Sequence, residues 1–230
     1  MYTNSATLTL PQDVCSNLEL ALHDRIGEGK HRVVYQLGGL AIKVLKPSIQ
    51  IRLGPYSFRI PTWLYALYRN GLFDLNTAEH AHYQHIIAGV PTHLKDSFAE
   101  VYNVIQVNGT SMSICELVRN YDGAIAKTLA ENGQVSDTGF WKRYNEVEKF
   151  LLSKGVFYTE AWPNNISVKV SRDGSMIPVL FDYDLIGLRS YPLKIDMVFK
   201  SHSRKKVKRR FEKIRKSFQP KIPSETSPIH

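Results

Sequence analysis

Three pairs of short apolar runs, each joined by a glycine-containing turn, predict three β-hairpins. The runs RVVYQL and LAIKVL lie on either side of Gly38-Gly39, and the other two turns are Asn108-Gly109 and Asp173-Gly174. These dipeptides favour the tight turns of hairpins, and β-branched residues favour strands. Pro47 is expected to end the second strand of the first pair.

Apolar residues at helical spacing predict helices between the hairpins. They occur in PTWLYALYRNGLF, AEHAHYQHIIAG, AIAKTLAENG and TGFWKRYNEVEKFLLSKG. We expect Asn76 and Thr77 to cap the second of these helices and Gly89 to end it. The fourth has an apolar face of Phe140, Tyr144, Val147, Phe150 and Leu151. The order of elements predicts an α+β protein with a small β-rich lobe followed by a helical lobe.

Composition adds little to this pattern, since 43% hydrophobic and 22% charged residues are ordinary for a globular protein. No apolar run reaches the roughly 18 residues of a membrane span, and the start MYTNSATLTL does not resemble a signal peptide. The two cysteines, Cys15 and Cys115, are expected to be reduced thiols. We therefore expect a cytoplasmic protein.

The net charge of +9 is concentrated in one segment. Between Arg204 and Lys216 there are nine basic residues and one acidic residue, which leaves 21 basic and 20 acidic residues in the rest of the chain. Val207, Phe211, Ile214 and Phe218 recur at steps of four, three and four, which predicts a basic amphipathic helix over 204–218. Residues 219–230 are expected to be disordered.

Two interpretations of this basic helix remain open. Its apolar stripe packs on the helical lobe, or its cations contact an anionic partner, and the two are not exclusive. A membrane partner would place the protein at the inner face of the membrane. The anionic partner would be a membrane surface, a polyanionic glycolipid or nucleic acid. Nucleic acid is the least favoured, because no aromatic residues interleave with the cations to stack on bases.

The segment GEGKHRVVY followed by AIKVL has the features of a phosphate-binding hairpin. Gly27 and Gly29 let the backbone approach a phosphate chain, and Lys43 on the next strand can reach the α- and β-phosphates. The alternative is an ordinary hairpin whose lysine extends to water. Glu79 is the candidate partner for Lys43, although it is equally well explained as a first-turn acid that the helix dipole favours.

A second constellation lies in YTEAWPNNI and PVLFDYD. Glu160, Pro163 and Asn165 have the order of a phosphoryl-transfer loop with an acidic base, a turn and a magnesium ligand, and the following hairpin returns Asp182. The alternative is that Pro-Asn-Asn is turn chemistry and that Asp182 ends a strand. The order of all these motifs together favours a kinase.

The chain resembles the PhoP regulatory network protein YrbL family of small protein-kinase-like proteins. The resemblance covers most of the chain through GEGKHRVVYQ, AIKVL, AEHAHYQHI, AGVPTHL, YDGAIAKTLAE, PNNISV, IPVLFD and KKVKRRFEKI. It implies one bilobal kinase-like unit over 1–230, with an N-lobe over 1–118 that includes the helix of Glu79. The implied C-lobe, with the catalytic-loop-like segment, covers 119–203.

The resemblance also implies roles for particular residues. Lys43, Glu160 and Asp182 would be catalytic, and Asn165 and Asp182 would hold Mg²⁺. Cys115-Glu116-Leu117 would be a hinge that binds an adenine edge. The implied ATP contacts are Gly27, Gly29, Val34, Lys43, Glu79, Glu116 and Val118.

Several positions depart from the standard kinase pattern. Arg32 replaces the third glycine of the loop, Glu160 replaces the usual aspartate, Trp162 replaces a lysine and Asp184 replaces the glycine of DFG. Two functions are therefore predicted. The first is an ATP- and Mg²⁺-dependent phosphotransferase that acts on a small-molecule or glycan acceptor, and the second is an ATP-binding pseudokinase that serves as a regulatory module.

Three histidines lie in one predicted helix, at positions 80, 82 and 85. Only His82 and His85 share a face, and no carboxylate has matching spacing. We predict that His80, His82 and His85 are packing or surface residues and not metal ligands.

Overall fold

The computed structural model of the chain describes residues 24–53, 56–70, 74–107, 109–155, 161–183 and 200–220. Several predictions concern residues outside these ranges. They are the predicted base Glu160, the altered DFG position Asp184, Cys15, Asn108 of the second turn and most of the predicted disordered tail.

The chain divides into two compact units that differ from the two predicted lobes. The first comprises Met1–Val90, Ala99–Leu117 and Asp182–Phe199. The second comprises Pro91–Phe98, Val118–Phe181 and Lys200–His230. Both units are discontinuous in sequence, so each contains residues from early and late parts of the chain.

A five-stranded antiparallel sheet forms the centre of the first unit. Its strands are β1 (Arg25–Glu28), β2 (Arg32–Leu37), β3 (Leu40–Leu45), β6 (Val101–Val107) and β7 (Thr110–Glu116), in the order β1-β2-β3-β7-β6. Gly38 has a φ of 56°, as the predicted tight turn between β2 and β3 requires. Ile42, Met112 and Ile114 form a buried apolar cluster on this sheet.

A separate hairpin follows β3 and was not predicted. It consists of β4 (Ser48–Leu53) and β5 (Tyr56–Pro61), which pair in antiparallel register from Ser48↔Pro61 to Leu53↔Tyr56. Helix α1 (Thr62–Asn70) continues directly from β5, in the segment predicted to be helical. The sequence SIQIRLGPYSFRIP does alternate apolar and polar residues, which is the signal that was missed.

Helix α2 spans Leu75–Ile87, and its cap differs from the predicted one. Asp74 is the N-cap, and its carboxylate accepts from the amides of Asn76 and Thr77 at 2.7 and 3.3 Å. Asn76 is instead buried inside the unit, where its amide donates to the carbonyls of Lys43 and Ser111. The prediction of Asn76 and Thr77 as caps was wrong because Asp74, two and three residues earlier, takes that position.

The second unit is organised around helix α4 (Thr138–Ser153). Its buried residues are Phe140, Trp141, Tyr144, Val147, Glu148, Leu151 and Leu152, so the predicted apolar face is confirmed except for Phe150, which is half-buried. The same unit contains the predicted hairpin of β8 (Ile166–Val170) and β9 (Met176–Leu180), with Gly174 at a φ of 81°.

Helix α5 spans Lys200–Phe218 in the second unit and contains the basic segment. Val207 and Phe211 are fully buried and Ile214 is nearly so. The rings of Phe211 and Tyr144 have centroids 4.9 Å apart. The apolar stripe therefore packs against helix α4. Among the described residues, no helix has the length and apolar character needed to cross a bilayer.

The helix predicted in AIAKTLAENG is much shorter than expected. Helix α3 covers only Leu129–Asn132, because Thr128 caps it by accepting from the Glu131 amide while the Glu131 carboxylate accepts from the Thr128 amide. Ile125 and Thr128 instead form isolated β-bridges with Arg119 and Ser167. A capping box starts a helix at its own position and so excludes the residues before it.

Asp137 provides a first stability prediction, since its carboxylate joins two elements. One oxygen accepts from the amides of Gly139 and Phe140 at the start of α4, and the other accepts from the amide of Met176 in β9 at 2.8 Å. We expect Asp137→Ala to lower the free energy of unfolding by about 1 to 3 kcal/mol. Asp137→Asn keeps an oxygen for the cap and should lose less. Denaturant unfolding measures both, and a loss below about 0.5 kcal/mol for the alanine variant would contradict this role.

Candidate functional site

Lys43 is a buried lysine in the central strand of the first unit. In β3 it lies opposite Val34 of β2 and Ser113 of β7, and only 9% of the residue is exposed. A buried ammonium group is costly unless it is paired. Its Nζ lies 2.5 Å from Oε1 of Glu79, so the lysine does not simply extend to water. Burial is the largest influence and lowers the pKa of Lys43, but the attractions of Glu79, Cys115 and Asp182 together outweigh it, and the net pKa is raised.

Glu79 is the most buried charged residue of this cluster, with 1% exposure. It is the fifth residue of α2, and the first turn of that helix contains no acidic residue, which excludes the first-turn interpretation. Its Oε1 also accepts from the amide of Tyr183 at 3.2 Å, and its Oε2 lies 2.8 Å from the guanidinium of Arg32. Burial opposes ionisation, but Arg32 and Lys43 outweigh it and lower the pKa of Glu79 from 4.5 to about 2.

Arg32 connects Glu79 to Asp182. Its guanidinium lies 3.2 Å from Oδ1 of Asp182 and donates to the carbonyl oxygen of Leu75 at 2.9 Å, and its side chain is only 12% exposed. Two cations and two carboxylates thus form one cluster: Arg32, Lys43, Glu79 and Asp182. From the sequence, Arg32 was identified only as a departure from the glycine pattern. A charged residue in the predicted strand β2, opposite Leu45 of β3, was the signal that could have identified it as part of the site.

Asp182 has a strained backbone that its neighbour holds in place. Its φ of 63° makes it the one non-glycine residue with positive φ in the described part of the chain. Tyr183 is fixed on three sides, because its amide donates to Glu79, its carbonyl contacts Nδ1 of His82 at 3.0 Å and its hydroxyl donates to the carbonyl of Ala99 at 2.7 Å. Such strain persists only where the surroundings impose it, and it concentrates at functional sites.

Sequence reasoning missed the role of His82 and Tyr183. His82 is buried and packs in the first unit, His80 is half-buried and His85 is exposed, in agreement with the prediction that the three are packing or surface residues. Burial lowers the pKa of His80. Within the described ranges, no group of three or more histidine, cysteine, aspartate or glutamate residues is arranged to hold a metal ion.

The turn between β1 and β2 leaves room for a side chain at both of its glycines, Gly27 and Gly29. Neither Gly27 nor Gly29 has a positive φ, and a Cβ added at either would meet its nearest atom only at 3.9 or 3.8 Å. The internal packing of the described chain therefore does not require glycine at these positions. Lys46 secures the turn by donating to the carbonyl of Gly29 at 2.8 Å and by pairing with Glu28. Val34 lies opposite Gly27 in the β1–β2 pair.

The predicted hinge, Cys115-Glu116-Leu117, begins within β7 and ends one residue after it, and two of its amides are already bonded. Glu116 donates to the carbonyl of Glu100 at 2.8 Å, and Leu117 donates to the carbonyl of Gly39 at 3.2 Å. Cys115 is a buried free thiol beside Ser113. Neither amide is available to a ligand unless a bond of the sheet breaks. The carbonyl of Val118, which belongs to the second unit, accepts from the amide of Ala126.

Asn165 lies in the second unit, at the end of a short 3-10 turn, Pro163–Asn165. Its amide donates to the carbonyl of Trp162, and its carbonyl accepts from the amide of Phe181 at 3.1 Å. Trp162, where the kinase pattern has lysine, is 45% exposed, and the guanidinium of Arg210 lies 4.5 Å from its ring centre. The Pro-Asn-Asn stretch thus forms a turn.

Comparison with known proteins gives the following results. No family model matches the chain, and no curated protein matches it. Among solved structures, PpkA-294 in its apo form aligns with a TM-score of 0.42 and 14% identity, over 72% of this chain and 58% of that one. This chain thus spans less than two thirds of the length of that structure. The fold and the site define a mixed α and β protein with an antiparallel sheet that carries a buried ionic cluster.

Proposed function

We propose that the chain is an ATP- and Mg²⁺-dependent phosphotransferase of the protein-kinase-like type. The observation that carries this proposal is the buried ion pair between Lys43 and Glu79. A lysine inside an apolar strand, held by a glutamate from a helix packed on the sheet, is the device by which kinases position nucleotide phosphates. A deeply buried ion pair adds little net folding stability, because the cost of removing both charges from water offsets their attraction. A functional role therefore explains the Lys43–Glu79 pair better than a stabilising one.

The described residues fit a nucleotide phosphate chain in two respects. Lys43 provides a cation whose orientation Glu79 fixes. Gly27 and Gly29 carry no side chains in the β1–β2 turn, although the packing of the chain does not itself require glycine there. Backbone amides of glycine turns bind phosphate oxygens well. Val34, Glu116 and Val118 are the further proposed nucleotide contacts, through groups other than the bonded amides of the hinge.

Asn165 and Asp182 are the proposed ligands of Mg²⁺. Their side chains provide the oxygen donors that Mg²⁺ prefers, and one or two protein ligands suffice when substrate phosphates and water complete the coordination. The bound ion would neutralise charge on the transferring phosphoryl group. Arg32 now contacts the Asp182 carboxylate, so that carboxylate must exchange a guanidinium for the metal when the metal binds.

The acceptor is proposed to be a hydroxyl group of a small molecule or glycan. Glu160 is the proposed base that orients this hydroxyl, since it precedes the Pro163 turn as the base does in a phosphoryl-transfer loop. No APE-like segment follows Asp182 in the given sequence, which argues against a protein acceptor.

A second candidate is a pseudokinase that binds ATP and acts as a regulatory module. The observation that favours it is Trp162, which replaces the lysine of the kinase loop and has its ring against Arg210 at 4.5 Å. A protein whose loop has tryptophan and glutamate in place of lysine and aspartate would still bind the nucleotide but would transfer the phosphoryl group slowly. Misplacement of a catalytic group by about 1 Å can lower the rate roughly a hundredfold.

The test is thermal melting of the full chain with ATP, with ATP and Mg²⁺, and with neither, followed by a turnover assay with labelled ATP and candidate acceptors. At a hundred times its dissociation constant a ligand adds about 2.7 kcal/mol of stability. We expect such a shift for the wild type and its loss in Lys43→Met. Lys149→Met, which changes an exposed lysine of α4, is the matched control and should keep the shift.

The outcomes separate the two candidates. Transfer or hydrolysis that disappears in Asp182→Ala supports the phosphotransferase, and a shift without turnover supports the pseudokinase. The absence of any shift in the wild type contradicts both.

A further inference from the structure

A row of four cations lies on the outer face of helix α5, and the proposed catalytic function does not use it. Lys205, Arg209, Lys213 and Lys216 follow one another at steps of four, four and three residues, and all four are exposed. We call them the basic row. At 1.5 Å of rise per residue the row extends for about 16 Å along the helix.

The orientation of this row is fixed by the opposite face of the helix. Val207, Phe211 and Ile214 are 0%, 0% and 4% exposed, and at 100° per residue they lie on the side away from the row. Arg215, a basic residue near the buried side, is held by Glu148 at 2.5 Å and by Asn145 at 2.7 Å. The helix therefore cannot rotate the basic row inward without breaking its core contacts.

Little negative charge on the helix opposes the row. Glu212 is the one acidic residue between Arg204 and Lys216, and its contact with Lys216 at 2.7 Å joins two exposed side chains. An exposed pair of this kind is weak and easily exchanged. Lys208 and Arg204, also exposed, add positive charge to the helix outside the row.

We infer that the basic row binds the surface of a membrane that contains anionic lipids. A membrane surface is flat and needs only cations that share one side of the protein, which is the arrangement that the docked helix provides.

The exposed face of α5 favours a membrane over nucleic acid. The exposed positions of α5 whose side chains the structure describes carry serine, lysine, arginine and glutamate, and none carries an asparagine, glutamine or aromatic side chain that would read or stack on bases. The rest of the chain has 21 basic and 20 acidic residues, which provides no excess of charge for a second phosphate strand.

The test is co-sedimentation of the full chain with vesicles of phosphatidylcholine alone and with one quarter phosphatidylserine, at low and high salt. The row variant replaces Lys205, Arg209, Lys213 and Lys216 with glutamine. Each lysine or arginine near an anionic surface strengthens binding about fivefold, so the variant should bind several hundredfold more weakly. Binding of the wild type should fall steeply with salt, because the Debye length shortens.

The matched control has the same change in charge elsewhere in the second unit. It replaces the exposed lysines Lys95, Lys127, Lys142 and Lys149 with glutamine and should bind nearly as the wild type does. All eight side chains are exposed, so both variants should melt like the wild type, which a circular dichroism scan checks. Equal weakening by both variants, equal binding to neutral vesicles, or stronger binding of the wild type to a DNA duplex than to anionic vesicles would each overturn the inference.

Discussion

Replacing Glu79 with glutamine should lower the free energy of unfolding by about 3 to 5 kcal/mol, the usual cost of breaking a buried ion pair from one side. The loss is large because Glu79 is the shared anion of Lys43 and Arg32, at 2.5 and 2.8 Å. Lys43→Met should cost less, about 1 to 2 kcal/mol, because Glu79 then keeps Arg32 and the amide of Tyr183.

The same cluster predicts how stability depends on pH. The pKa of Glu79 is about 2 in the folded protein and near 4.5 when unperturbed, so its contribution is complete above pH 4.5 and is lost as the pH falls towards 2. The difference in stability between the wild type and Glu79→Gln should therefore shrink over that range. For Lys43, whose pKa is raised, the contribution is present below its usual value of 10.5 and is lost as the pH rises beyond the folded pKa.

Urea unfolding at several pH values, followed by circular dichroism, measures these effects. Glu28→Gln is the matched control, because Glu28 pairs with Lys46 at the same distance of 2.5 Å but with a side chain that is 40% exposed. An exposed pair should contribute at most about 1 kcal/mol. If Glu79→Gln costs no more than Glu28→Gln, or less than Lys43→Met, the shared-anion arrangement is wrong.

Phe211→Ala should destabilise the second unit by about 3 to 5 kcal/mol, since it removes a large side chain from a packed core. Phe211 is 0% exposed, and its ring lies 4.9 Å from that of Tyr144 in α4. Tyr144 is itself so deeply buried that the pKa of its hydroxyl is raised well above 10. Removing the Phe211 ring leaves a cavity at the centre of the contact between α4 and α5.

Phe218→Ala is the comparison, because Phe218 belongs to the same stripe but is only half-buried and should cost clearly less. Tryptophan fluorescence follows the core directly, since the Trp141 ring lies 5.5 Å from Tyr144. A cost below about 1 kcal/mol for Phe211→Ala would mean that α5 does not complete this core in solution.

The parts of the fold that the sequence predicted are those encoded by short-range signals. The β2–β3 turn needs a positive φ that Gly38 adopts easily, and the apolar spacing of α4 matches its buried face. The errors also have local causes. Asp74 takes the cap that Asn76 was expected to form, and the capping box at Thr128 limits a helix whose apolar spacing suggested a longer one.

The candidate site could be predicted only where one residue demands a partner. A lysine between Ile42 and Val44 requires an anion, and the next predicted helix offered Glu79, which lies 2.5 Å away. The sequence around Arg32, His82 and Tyr183 does not indicate that these residues need a particular partner. Their contacts join residues up to 150 positions apart, and such long-range geometry follows from the packing of whole elements and not from any local pattern.

The discontinuity of the two units has a consequence for synthesis on the ribosome. The core around α4 lacks Phe211 and the contact of the Val135 amide with the carbonyl of Phe218 until residue 218 has left the exit tunnel. The first unit similarly waits for Tyr183 to close over Glu79. Local hairpins such as β2–β3 can pair early, and the apolar cluster of Ile42, Met112 and Ile114 is complete once β7 has emerged, but the core around α4 closes only when α5 emerges. During that interval the apolar face of α4 is exposed, and aggregation is avoided only if a chaperone covers this face or if the chain folds quickly.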